Sequence, residues 1–223
     1  MAKVYLSPSD QESNVYAYDN TNEAVQCGRI AEACRAALER SGVEVKVGHM
    51  ISMAQKCSES NAFGADLHVP IHTNAFNGKV MGTRMFCYSA GGTGMAACKA
   101  IFARLAPITP GDSENIQVNS DYYEVRVPAA PTAYIECEFH DTVEGAKWIV
   151  ENTVLIGETI ARGICDYFGV KFVEKPKPVE PEKKDVLYRV QIGAYKIKAN
   201  AEKRQAEAKA AGFTDAFIVT VEQ

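Results

Sequence analysis

No C-x-x-C pair occurs among the seven cysteines of this chain, Cys27, Cys34, Cys57, Cys87, Cys98, Cys137 and Cys165. Their odd number and their scatter through apolar, periodic segments argue against both a disulfide framework and a thiolate zinc site. They read as buried free thiols in a reducing compartment. Long apolar runs are also missing. Nothing approaches the ~20 residues that a bilayer-spanning helix needs, and Met1 to Leu6 enters a strand without the layout of a secretory leader. The expectation is a soluble chain, made in the cytoplasm without a signal peptide, that inserts into no membrane. Basic excess is absent too, with 24 Lys and Arg against 28 Asp and Glu, which argues against nucleic acid, whose binding rests on clustered cations. Gly91-Gly92-Thr93-Gly94 precedes a helix but lacks the Lys-Ser/Thr of a phosphate loop and the spacing of a dinucleotide fingerprint. What is present, 47% hydrophobic against 23% charged residues over 223 positions, is a globular domain of ordinary size with an appendage.

Periodicity sets out the elements. Lys3 to Leu6 reads as a strand. A helix follows from about Asn22 to Ser41, with Cys27, Ile30, Ala31, Cys34 and Leu38 as its apolar stripe, Thr21 as N-cap and Ser41-Gly42 as its end. Val43 to Val47 is a second strand and Met53 to Phe63 a helix. Further strands are predicted over Gly82 to Ser89 and Ala133 to Phe139. Helices are predicted over Met95 to Leu105 and, unbroken, from Val143 to Phe168, and residues 107–120 read as a long loop. This alternation predicts an α/β fold, a mostly parallel sheet flanked by helices on both faces.

The composition changes after Gly169. Residues 1–170 form the first domain, and 171–184, rich in Pro and charge, read as an extended linker. Residues 185–223 read as a small β-α-β module, with strands Tyr188 to Tyr195 and Ala216 to Val221 around a helix from Ala199 to Ala211. About 39 residues are too few for a self-sufficient core. Pairing with something is therefore expected, a homodimer through the tail being one form.

The chemistry concentrates in Ala65-Asp66-Leu67-His68-Val69-Pro70-Ile71-His72-Thr73-Asn74-Ala75. Side chains alternate along a strand, so Leu67, Val69 and Ile71 pack one way while His68 and His72 face the other. The end of a strand is where open α/β sheets build sites, which singles out His72. Four residues along a strand is ~13 Å, so His68 and His72 do not share one ion. Glu136 lies on a later strand whose Ala133, Ile135, Cys137 and Phe139 take the core face; it is placed to act on a bound water or to pair with Arg84 or Arg126. Glu23, in the first helical turn, suits either the helix dipole or part of a metal shell.

Taken together, Glu23 at a helix start, Ala65-Asp66 leading to Pro70-Ile71-His72-Thr73-Asn74-Ala75, and Tyr134-Ile135-Glu136-Cys137-Glu138-Phe139 resemble the zinc-dependent N-acetylmuramoyl-L-alanine amidases of bacterial and phage cell-wall lysis. The resemblance covers roughly residues 1–170. It implies one Zn2+ held by Glu23 and His72, with Glu136 as the catalytic carboxylate. The family's first ligand is a histidine in an Asp-Pro-Gly-His-Gly loop, and here the matching stretch is Ser7-Pro8-Ser9-Asp10-Gln11. Asp10 falls at the histidine position and is taken as the third ligand, with Gln11 and His140 as alternatives; a set richer in carboxylates also admits manganese. The tail resembles half of a sporulation-related repeat, on Tyr188-Arg189-Val190-Gln191-Ile192-Gly193-Ala194-Tyr195 and Ala199-Asn200-Ala201-Glu202, which implies peptidoglycan binding. The expected activity is cleavage of the amide between N-acetylmuramic acid and L-alanine, on walls reached after lysis or non-classical release. A non-catalytic peptidoglycan binder and a metallopeptidase of similar fold are the alternatives.

Overall fold

A computed structural model of the chain describes residues 1–112, 114–175 and 188–221, in two units, Met1–Pro176 and Lys177–Gln223. In the first, six strands form one sheet in the order β2-β1-β3-β6-β4-β5. They are β1 (Lys3–Pro8), β2 (Glu44–Val47), β3 (Leu67–Asn74), β4 (Arg84–Cys87), β5 (Asn115–Val118) and β6 (Tyr134–Phe139). All pairings are parallel except β4 with β6. The mostly parallel sheet follows from β-α-β crossovers, whereas β4 follows β3 with no helix between them and the chain returns in the opposite direction.

Helices α1 (Glu23–Arg40), α3 (Thr93–Leu105) and α6 (Thr153–Phe168) bring Ile30, Leu38, Ile101 and Ile160 together with Leu6, Ile71 and Ile135 in a single apolar core, all fully buried. Burial of each such side chain contributes about 1.5–3 kcal/mol. On the other face lie α2 (Met53–Phe63) and the single turn α4 (Tyr123–Arg126), which touch each other. Asn22, not Thr21, caps α1, with its Oδ1 accepting from the Val25 amide.

The long final helix is two. α5 (Val143–Glu151) ends at Asn152, whose side chain donates to the Trp148 carbonyl, and α6 starts afresh. This break turns Leu155 out to 47% exposure, away from the stripe that continuous periodicity gives it. The expected loop 107–120 contains β5, and α4 follows it.

Two glycines let α6 lie close to its neighbours. A Cβ on Gly157 would sit 2.5 Å from the Ile30 carbonyl oxygen, and one on Gly163 would sit 2.4 Å from the Ile101 Cα. Gly163→Ala is expected to destabilise by about 1–3 kcal/mol through this clash, outweighing the ~1 kcal/mol that alanine otherwise gains in a helix. Thermal unfolding reads the difference, and a raised Tm would contradict it.

In the second unit, α7 (Lys198–Ala210) forms over the expected helix. The strands expected at 188–195 and 216–221 are absent among the described residues, and Tyr188, Val190 and Phe217 are exposed. A strand needs a neighbour for its amides and carbonyls, and no strand pairing is present in this unit among the described residues. Residues 176–184 of the expected linker lie outside the described residues.

Candidate active site

Strand pairing makes the site. β3 and β6 run side by side with His72 opposite Glu136, so two residues 64 positions apart sit one strand spacing, about 4.8 Å, from each other. Glu23, the first residue of α1, reaches in from above, and its Oε1 accepts from His72 Nδ1 at 2.9 Å. All three side chains are buried, and two of their atoms have no partner, His72 Nε2 and Glu136 Oε2.

Around this pair the polar groups are held in a chain. Asn14 donates to Glu23 Oε2 at 2.6 Å, and the Thr73 amide lies 3.4 Å from Glu23 Oε1. The Thr73 hydroxyl bonds to both Tyr16 and His140, at 2.8 and 2.9 Å. Tyr134, two residues before Glu136 and on the same strand face, stacks on the His72 ring with centroids 4.7 Å apart and planes 19° from parallel. The imidazole is thus fixed in both plane and position.

Burial opposes charge on His72, but the Glu23 hydrogen bond and the charges of Glu136 and Glu23 prevail and hold its pKa above the usual value. Burial likewise opposes charge on Glu23, where hydrogen bonds from His72, Asn14 and Ser9 prevail and hold its pKa low. Glu136 is different: burial raises its pKa to about 8, with the Glu23 charge adding and His72 only partly offsetting. The two carboxylates beside His72 are thereby separated, with no cation bound, into one charged and one protonated at neutral pH.

Asp10 departs from the expectation. Its carboxylate takes Lys56 Nζ at 2.6 Å, the Met50 amide at 2.7 Å and His49 at 3.6 Å, and is not brought to His72. The neighbouring Gln11 is. Its amide lies 3.5 Å from His72 Nδ1 and is oriented by Asn14. The reason is the loop's anchoring: the Ser9 amide bonds to the Ile71 carbonyl, and Lys56, 2% exposed, bonds to Asp10 and to the Pro8 carbonyl. That turns Asp10 toward α2 and Gln11 toward the strand end. His140, the other alternative, is stacked on Tyr16 with centroids 4.9 Å apart and engaged by Thr73.

On the same face of β6, Glu138 is buried and accepts from the Gly82 and Phe139 amides, each at 2.7 Å. Burial is the largest influence on it, and its pKa rises to about 7 despite those amides. Relative to an unfolded carboxyl, folding therefore favours the protonated form: the cost of the charge is absent below about pH 4.5 and complete above pH 7. Glu138→Gln keeps the acceptor oxygen without the charge. It is expected to match the wild type near pH 4 and exceed it by up to about 3 kcal/mol at pH 8. Urea titrations at the two pH values read this.

Comparison with known proteins now decides the family. The family profile described as N-acetylmuramoyl-L-alanine amidase matches residues 9–166. The chain belongs to the N-acetylmuramoyl-L-alanine amidase family. A SPOR domain profile matches residues 171–222. The sporulation-specific N-acetylmuramoyl-L-alanine amidase of Bacillus subtilis (strain 168) is 26% identical over 226 residues, spanning 98% of this chain and 85% of that protein. Among solved structures, the catalytic domain of CwlV, an amidase from Bacillus (Paenibacillus) polymyxa var. colistinus, superposes with a TM-score of 0.69 at 17% identity, over 77% of this chain and 100% of that one. The amidase AmiC2 of Nostoc punctiforme gives 0.66 at 18%, over 75% and 97%. The amidase thus has the fold of these catalytic domains, and as a hydrolase of linear amides in peptidoglycan it sets aside the metallopeptidase alternative.

Residue reading missed Tyr134 and the Thr73–Tyr16 link. Tyr134 was within reach of period-two reasoning, since it shares the face of Glu136 across from His72.

Proposed function

We infer that this chain is a metal-dependent amidase that cleaves between the lactyl group of N-acetylmuramic acid and L-alanine. The observation that carries the reading is the His72–Glu136 strand pair with Glu23 on the imidazole and an unpartnered buried atom on each of His72 and Glu136. Orphaned buried polar atoms are costly without a ligand. The Gln11 amide nitrogen faces His72 while its oxygen accepts from Asn14; with that amide turned over, an imidazole nitrogen, a carboxylate and the Gln11 oxygen form a donor set that suits zinc or a similar borderline cation. Bound there, such an ion supplies Lewis-acid polarisation of the scissile carbonyl and acidifies a water.

The protein's own groups do the rest. Glu136 takes a proton from the attacking water and returns it to the leaving nitrogen of L-alanine, so the C–N bond breaks as the C–O bond forms. Glu23 stays ionised and holds His72 in place, and Tyr134 covers the imidazole and shields it from water. The SPOR tail serves as the peptidoglycan-binding module, held to the wall after lysis, and pairing of two tails would cover its exposed Tyr188, Val190 and Phe217.

Digestion of purified cell walls tests the reading. New amino termini should be L-alanine only, with intact lactyl-bearing glycan by mass spectrometry, and chelation should abolish release until zinc is restored. Walls bound but not cut, with Gln11 unable to replace the missing histidine, would show the non-catalytic binder instead.

A further inference from the structure

A second cluster lies beneath the first, and the amidase reading makes no use of it. Cys57 on α2, His68 on β3 and Glu124 on α4 each place one ligand atom within 4.8 Å of the others, and all three are buried. It is the only such group of three among the described residues. Their fractional exposures are 1%, 0% and 3%.

His68 and Glu124 are held from behind. His68 stacks on Tyr5, its register partner on β1, with centroids 5.4 Å apart and planes 8° from parallel. Its Nε2 lies 3.3 Å from Glu124 Oε1, and its Nδ1 has no partner. Ser7 donates its hydroxyl to Glu124, the kind of outer contact that orients a ligating carboxylate. The turn α4 has four residues, of which Glu124 and Val125 are the buried ones, so its inward polar contribution is this carboxylate.

We propose that Cys57, His68 and Glu124 form a structural metal site for a zinc-like divalent cation, separate from the catalytic one. The donor set decides the ion class. Sulfur and imidazole disfavour magnesium and calcium, which take oxygen, and favour zinc. Charge agrees: a thiolate and a carboxylate balance a dication, the ion replacing the Cys57 thiol proton. Burial decides the role: ligands at most 3% exposed give a substrate no access, so the fourth tetrahedral position that three protein ligands leave would be filled by an enclosed water. The ion would tie α2 and α4 to the sheet under the catalytic strands. Absence of a C-x-x-C pattern does not bear on it, since the three ligands come from three separate elements.

Cobalt(II) substitution of the full chain tests this, because the catalytic set of Glu23, His72 and Gln11 contains no sulfur. Demetallated protein refilled with cobalt(II) should bind two equivalents and show a near-ultraviolet thiolate-to-cobalt charge-transfer band. Cys57→Ser and His68→Gln should each lose that band and one equivalent. Glu23→Gln should lose the other equivalent and keep the band. Folded wild-type protein that takes up cobalt without the band, or none at all, overturns the proposal, as does a band that survives Cys57→Ser. One equivalent with the band leaves this site standing and removes the catalytic one; one equivalent without it does the reverse. The wild-type spectrum decides even if a variant fails to fold.

Discussion

Glu136→Gln is expected to lower the rate of amide cleavage by about 10²–10⁴-fold, the usual contribution of a positioned general acid–base, while binding of peptidoglycan persists. The side chain is 8% exposed with one oxygen unpartnered, and glutamine fills the same volume without exchanging a proton. Its pKa near 8 without a metal also gives the variant a second signature. A buried carboxyl that must ionise as pH rises costs the fold stability between about pH 4.5 and 8, so the metal-free variant should outlast the metal-free wild type at pH 9 and match it at pH 4. A variant that loses activity but shows no such crossover has lost its fold at the site, and one that keeps full activity refutes the catalytic role. Turnover on a soluble muropeptide and urea midpoints in chelator separate these outcomes.

Lys56→Met should be the most damaging single change outside the catalytic set. The side chain is 3% exposed, and its ammonium is divided between Asp10 Oδ2 and the Pro8 carbonyl, each at 2.6 Å. Methionine keeps most of the volume but leaves a carboxylate short of its counter-charge; because Asp10 is 20% exposed, the loss is about 1–3 kcal/mol, below that of a fully buried pair broken on one side. The same bond aims the loop, so Gln11 should wander from His72, and metal affinity should fall by about 10–100-fold, as when an outer-shell partner is removed. Asp10→Asn added to Lys56→Met should recover part of the stability, because it removes the stranded charge. Thermal denaturation across the four-member cycle reads the coupling. If Asp10→Asn alone weakens metal binding more than Lys56→Met does, Asp10 acts as a ligand after all.

These two residues also show where reading the sequence stops. The strand ending in His72, the helix opening on Glu23 and the strand carrying Glu136 all announce themselves by apolar periodicity, and the periodicity fixes which face each acid and imidazole takes. Asp10 and Gln11 sit in a loop, where no alternation dictates direction, and motif alignment alone points to Asp10, whose carboxylate faces Lys56, while Gln11 is the one near His72. The outcome depends on Lys56, 46 residues away, whose buried state no local pattern reveals. β5 and α4 are four residues each, too short for a period to register, so β5 falls inside the expected loop 107–120 and the segment that supplies Glu124 carries no sequence signal. The split at Asn152 is invisible for a related reason: the stripe continues on both sides, and only the side chain's hold on the Trp148 carbonyl marks the break. Cys57, His68 and Glu124 come together solely through the tertiary packing of three elements.

The adjacency of β3 and β6 has a bearing on how the polypeptide comes to life. His72 is synthesised early and Glu136 late, and the ladder joining them cannot close until β4, α3 and β5 have been made. A nascent or truncated chain ending before residue 134 would own the imidazole and the first acid yet lack the strand that faces them. Completion of this cluster is therefore deferred by the strand order itself.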